Sequence, residues 1–187
     1  RIGRTSEISE RFASQAAASA VTQMLSADIH CPPTSSMGRM FDAAAGLLGI
    51  KAVMAYEGQA AMLMEGLAQR YGDILPLDQG WRIDQGRLDL LPLLAVLADE
   101  KNAERGAALF HATVVAAITD WVRVLAPGTR AVVGSGGCFL NQVLVRGLRA
   151  RLGAQGVQII EARQVPPNDG GLSVGQAWVA LQHLLGR

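Results

Sequence analysis

The residues with the most direct chemical reading are Gly134, Ser135, Gly136 and Gly137, which stand between the apolar run Ala131-Val132-Val133 and a stretch with helical spacing. A strand that ends where a helix begins leaves the helix's first N–H groups unpaired, and they converge on a spot that suits an anion. Glycine serves such a turn because it accepts positive φ and has no Cβ to hold a phosphate off the backbone. The same four residues also make a tight turn without any ligand, and the tetrapeptide alone leaves both readings open. It matches neither a Walker A loop, which needs Lys-Ser/Thr next, nor G-x-G-x-x-G. Asp169, directly before Gly170 and Gly171, is a second candidate. A carboxylate there can coordinate a cation while the backbone bends past a ligand, although an aspartate just ahead of a helix is equally a ready N-cap.

Other residues carry two readings each. Cys138 follows the glycines, where a helix N-terminus lowers a thiol pKa, and it is also a small buried hydrophobe. His111 in ALFHATVV reads as a core or interface histidine, since no carboxylate lies near it in sequence. Glu57 faces a cleft or complements a helix dipole. Arg39 has the fork geometry for phosphate, and Gly-Arg before a helix is also ordinary surface. Trp81, Trp121 and Trp178, with Met54, Met62 and Met64, read as packing.

The elements that must position these groups follow from periodicity. Ile8, Phe12, Ala16, Ala20 and Met24 recur at four-residue steps and predict one helix over 7–28, with Ser6 as its cap. HCPPTSSM over 30–37 predicts a loop feeding a helix that ends at Gly49. A third helix is expected over 57–70, with Ala60, Leu63, Met64 and Leu67 inward. Trp81 and Ile83 before Asp84-Gln85-Gly86, then Leu88 and Leu90, predict a hairpin. A long helix over 102–125 stops at Pro127-Gly128. Strand 131–134, helix 139–152 and strand 157–160 form a βαβ unit with parallel, buried strands. A closing helix over 172–185 is expected to bury Val174, Trp178, Leu181 and Leu185.

Composition narrows the class. The 187 residues are 50% hydrophobic and 18% charged, which supports a folded core rather than disorder. Seventeen Lys and Arg against 16 Asp and Glu leave a net charge of +1, so nothing points to nucleic acid or a membrane surface. Cys31 and Cys138 are too far apart in sequence for a metal knuckle, and they fit a reducing, cytoplasmic setting. No apolar run reaches the roughly 20 residues of a spanning helix. A start at Arg1 with RIGRTSEISERF, which lacks the apolar core of a secretory signal, is read as a fragment or a processed product.

Four separated stretches, CPPTSSMGRMFDAAAGLLG (31–49), YEGQAAMLME (56–65), SGGCFLN (135–141) and PPNDGGLSVGQ (166–176), together resemble the HypF carbamoyltransferases of NiFe-hydrogenase maturation. The resemblance covers most of the chain and corresponds to the C-terminal part of the HypF domain that is similar to TsaD, the threonylcarbamoyl-transfer enzyme. It implies an α/β fold: a helix-rich lobe of an actin-like ATPase domain with a small mixed sheet. It implies that the intact protein uses carbamoyl phosphate and ATP to form carbamoyl adenylate, then carbamoylates the C-terminal cysteine of a HypE-like acceptor for cyanide-ligand synthesis.

By the family's motifs, Ser135, Gly136 and Gly137 would lie against phosphate, and Asn141 near the nucleotide. Gly38 and Asp42 would approach the nucleoside, with Asp42 accepting from ribose hydroxyls. Asp169 would bind a divalent metal, iron or zinc. The family's H-x-x-x-H ligands have no counterpart among His30, His111 and His183, so this chain alone is expected to bind metal weakly or not at all and to transfer nothing unaided. Related tRNA threonylcarbamoyl transfer, small-molecule O-carbamoylation, or a docking module with a degenerate nucleotide site are the alternatives.

Overall fold

The computed structural model describes residues 3–186, and among them the longest helix organises everything else. α1 (Ile8–Arg11) and α2 (Ala18–Ala27) come first, then α3 (Met37–Leu47) and α4 (Gln59–Tyr71). A hairpin of β1 (Arg82–Asp84) and β2 (Arg87–Asp89) leads to α5 (Leu91–Leu97) and α6 (Ala103–Leu125). β3 (Ala131–Gly134), a 3-10 turn at Gly137–Leu140, α7 (Gln142–Gly153) and β4 (Gln158–Glu161) form the βαβ unit. A second 3-10 turn at Asp169–Gly171 precedes α8 (Leu172–Leu184).

Asn102 starts α6 by accepting the Arg105 N–H at 3.0 Å. Ala107, Phe110, Val114 and Ala117 along it are fully buried, and α4 and α7 pack on its flanks. α6 is long and apolar enough to cross a membrane by length and composition, yet it is the core helix of this fold. α7 approaches it closely because position 147 is glycine: a Cβ there would meet Val115 at 2.7 Å. The hairpin turns through Gln85 and Gly86, both with positive φ as a two-residue turn of this kind requires. Trp121 on α6 donates to the Gly86 carbonyl at 2.7 Å and holds the hairpin down.

β3 and β4 are parallel, with Val132 opposite Ile159 and Val133 opposite Ile160. Val132 and Ile159 face the core.

Several sequence expectations need correction. The single helix over 7–28 is broken at residues 12–17, and Ser6 lies inside a short 3-10 turn without capping anything. Leu63 on α4 faces outward, and Ala68 takes the inward place. The helix over 139–152 begins with the 3-10 turn, so α7 proper starts at Gln142. α5, which periodicity did not single out, runs from Leu91 and accommodates Pro92 in its first turn, where no N–H is needed.

The larger corrections concern burial. Val133 is 77% exposed, because a two-stranded parallel sheet is covered here on one face only. α8 has no buried residue, and Trp178 is 61% exposed. Val174, Trp178, Leu181 and Leu185 do share a face, but nothing among the described residues covers it. Apolar surface of this extent marks a place where another body packs.

Candidate functional site

The glycine turn gathers the candidate residues from three parts of the chain. Gly134 closes β3 under the Phe139 ring, which occupies the space that any Cβ would need. Gly136 sits at φ 96° and ψ 164°, a region essentially reserved for glycine. Its N–H donates to the Pro167 carbonyl at 2.6 Å, clamping the 166–169 loop onto the turn. Ser135, Gly136 and Gly137 are exposed, and open space surrounds the Cβ positions of both glycines. Among the described residues nothing accepts from the backbone N–H groups of Gly137 and Cys138. Two adjacent free donors beside a positive-φ glycine form a concavity suited to an anion.

α3 packs against this turn. Ser36 caps it through the Arg39 N–H at 3.4 Å, which places Gly38 in the first turn and Asp42 one turn on. The Asp42 Oδ2 is paired with Arg39 at 3.0 Å. The Asp42 carboxylate lies close enough to Cys138 to act on it: burial first, and Asp42 second, push the thiol pKa up. Both effects favour the protonated form of this half-buried thiol over the thiolate.

Asp169 is exposed, and its carboxylate has no hydrogen bond or ion pair among the described residues. The capping task falls to Asn168, whose Oδ1 accepts the Gly170 N–H at 3.2 Å. Gly171 is required there, since a Cβ would strike the Pro166 carbonyl at 2.6 Å. The loop is thus fixed at both ends while its acid stays free. Among the described residues no three His, Cys, Asp or Glu side chains gather to hold a metal, so Asp169 by itself does not make a metal centre.

Asn141 turns inward. Its Oδ1 accepts the Leu144 N–H at 2.9 Å as the N-cap of α7, and its Nδ2 lies 3.0 Å from His111 Nε2. His111 Nδ1 is 2.7 Å from the Ala107 carbonyl, an obligate acceptor. That fixes the tautomer: Nδ1–H donates to Ala107, and bare Nε2 accepts from Asn141. The ring is 1% exposed, edge-on to Phe41 and Phe110.

Burial lowers the His111 pKa from its ordinary 6.5, against smaller upward contributions from the Ala107 bond and from Glu65. An unfolded chain gains a proton there from about pH 6.5 downward while the folded chain resists. Stability is therefore expected to be full above that pH, to fall below it, and to level off once the folded imidazole protonates too. Urea midpoints from about pH 8 to about pH 5 check this, and His111→Asn should flatten the slope. An unchanged slope in that variant would assign the pH dependence to other groups.

Glu65 was missed by sequence reasoning: on α4, its Oε1 accepts the Gln142 N–H at 2.7 Å across 77 positions. Its presence in the YEGQAAMLME stretch was the available signal. Glu57, by contrast, lies in the exposed turn before α4.

Comparisons with known proteins agree on one relationship. A family model described as "Carbamoyltransferase, Kae1-like Domain, second subdomain" matches residues 2–176. Carbamoyltransferase HypF2 of Cupriavidus necator is 50% identical over 97% of this chain and 26% of its own length. Carbamoyltransferase HypF of Rhizobium leguminosarum bv. viciae is 40% identical over 88% of this chain and 22% of its own. A crystal structure of full-length HypF in the phosphate- and nucleotide-bound form superposes with a TM-score of 0.79 at 29% identity, covering 98% of this chain and 25% of that one. The chain spans about a quarter of the length of these relatives.

Proposed function

The chain belongs to the HypF carbamoyltransferase family, matching the second subdomain of its Kae1-like domain, and from that premise we propose that it provides the nucleotide-holding surface for ATP-dependent carbamoyl transfer. The observation that carries this reading is the pair of free amides at Gly137 and Cys138 in an open glycine turn, to which the Asp169 loop is clamped.

In this reading the phosphates of ATP or carbamoyl adenylate rest on Ser135, Gly136 and Gly137. The two amides offset their charge without reorganising, which is the most effective form of electrostatic stabilisation. Gly38 and Asp42 line the nucleoside side, where Asp42 Oδ1 accepts from ribose hydroxyls while Oδ2 stays with Arg39. Asn141 acts from behind the turn. Carbamoyl phosphate supplies the carbamoyl group in the intact enzyme.

Transfer requires a thiolate to attack the carbamoyl carbon of the adenylate. A C–S bond forms, the bond from that carbon to the phosphate oxygen breaks, and AMP departs with the electron pair. In this reading the thiolate comes from the C-terminal cysteine of a HypE-like acceptor, and burial, with Asp42 second, disfavours a thiolate at Cys138. Iron or zinc, when bound in an intact domain, would neutralise phosphate charge. Asp169 alone is too few ligands to hold it, so its partners belong to other parts of such a protein. The uncovered face of α8 and the outer face of β3–β4 suit packing against those parts, in a cytoplasmic setting with no nucleic acid in the reaction.

Calorimetric titration of the protein with ATP tests the reading. Saturable binding that carbamoyl phosphate alone does not reproduce is expected. No binding would sink the nucleotide site and leave a docking role for the same surface.

A further inference from the structure

The first turn of α7 is held by side chains from two other helices, and we propose that Glu65 and His111 are positioning residues that set the two open amides of the glycine turn. Glu65 reaches from α4 to the Gln142 N–H at 2.7 Å. His111 reaches from α6 to the Asn141 amide at 3.0 Å. Asn141 donates its own backbone N–H to the Cys138 carbonyl at 3.2 Å, so the restraint enters the glycine turn through a single hydrogen bond.

Satisfaction of a stray donor does not explain Glu65. Gln142 is exposed, and water would serve its N–H as well as any side chain. What a carboxylate adds is place: it ties the start of α7 to α4 across 77 residues of sequence. It also changes where an anion can sit. The N-terminus of a helix such as α7 carries roughly half a positive charge, and here a carboxylate and the Asn141 side chain already occupy two of its first-turn amides. A phosphate is thereby directed away from α7 itself and onto Gly137 and Cys138. His111 contributes from the core side. Its tautomer, locked by Ala107, presents a bare nitrogen that admits only the amino end of Asn141 and so keeps the carbonyl end on the Leu144 N–H.

The ligand in this inference rests on the nucleotide reading above; the positioning does not. The test therefore uses two measurements on the intact protein, amide hydrogen exchange over 135–144 and calorimetric ATP affinity. In Glu65→Ala, exchange at Phe139 and Asn141, whose amides are bonded within the turn, is expected to rise about tenfold, and the ATP Kd to rise about tenfold. Glu65→Gln keeps an acceptor oxygen, and both quantities should return to within about twofold of wild type. His111→Asn should move exchange in the same direction as Glu65→Ala. Wild-type exchange and affinity in Glu65→Ala, even with a lowered melting temperature, would reduce Glu65 to a merely structural contact and overturn the proposal. So would a Gln variant as impaired as the Ala variant, because charge and not position would then be at issue. If wild type binds no ATP, the nucleotide reading falls, and exchange alone still decides whether these residues hold the turn.

Discussion

Gly136→Val is expected to weaken ATP binding about 10- to 100-fold, the largest effect of any single change in the glycine turn. The argument is conformational. Gly136 sits at φ 96° and ψ 164° with open space where a Cβ would go, so nothing clashes and all of the cost is backbone strain. Holding a β-branched residue there costs about 1–3 kcal/mol, and the chain escapes most of it by rotating the peptide planes on both sides of residue 136. That rotation re-aims the Gly137 N–H and pulls Gly136 off the Pro167 carbonyl, which now anchors the Asp169 loop. Both consequences fall on the anion site. Gly128 is the control: its φ is 80°, its surroundings are equally open, and it lies in the connection before β3. Gly128→Val should lower stability by a similar amount and leave ATP affinity within about twofold of wild type. Gly136→Val binding ATP as wild type does would remove the turn from the site.

The contrast between these glycines shows what could be read from sequence. The turn was legible because strand, glycines and helix are contiguous, although those residues alone left a bare turn and an anion site equally open. The α6 boundaries were legible for the same reason, since Asn102 and Pro127-Gly128 are strong local signals. The hairpin at Gln85-Gly86 was equally plain. Periodicity failed where it was asked about partners. Val174, Trp178, Leu181 and Leu185 do line one face of α8, but a face specifies that something covers it and not what does. The break between α1 and α2 was hidden because residues 12–17 keep the apolar spacing of a helix. Glu65 and the His111–Asn141 pair were illegible in a different way, for they are contacts between side chains 77 and 30 positions apart. Sequence could offer Asp169 as cap or as ligand but could not show that the neighbouring Asn168 does the capping.

That division of labour between Asn168 and Asp169 gives the two neighbours opposite expected phenotypes. In the intact protein, Asp169→Ala is expected to cut carbamoyl transfer about 100- to 1000-fold, the usual consequence of removing one preorganised charged group from a transfer site. Its melting curve should not move, because an exposed carboxylate without a hydrogen bond or ion pair contributes within about 0.5 kcal/mol to stability. Asn168→Ala should show the reverse. Losing the cap costs about 1 kcal/mol, but the loop stays anchored through Pro167, and activity should fall far less than in the Asp169 variant. The two substitutions are adjacent, so solvent exposure and chain position cannot account for opposite results. Circular dichroism melts beside a transfer assay on the acceptor thiol make the comparison. Were Asp169→Ala to keep full turnover while Asn168→Ala lost it, the acid would be idle and the shape of the loop would be what the reaction uses. Loss of both stability and turnover in Asp169→Ala would instead mean that its carboxylate is bonded within the fold, against the exposed and unpaired position found for it.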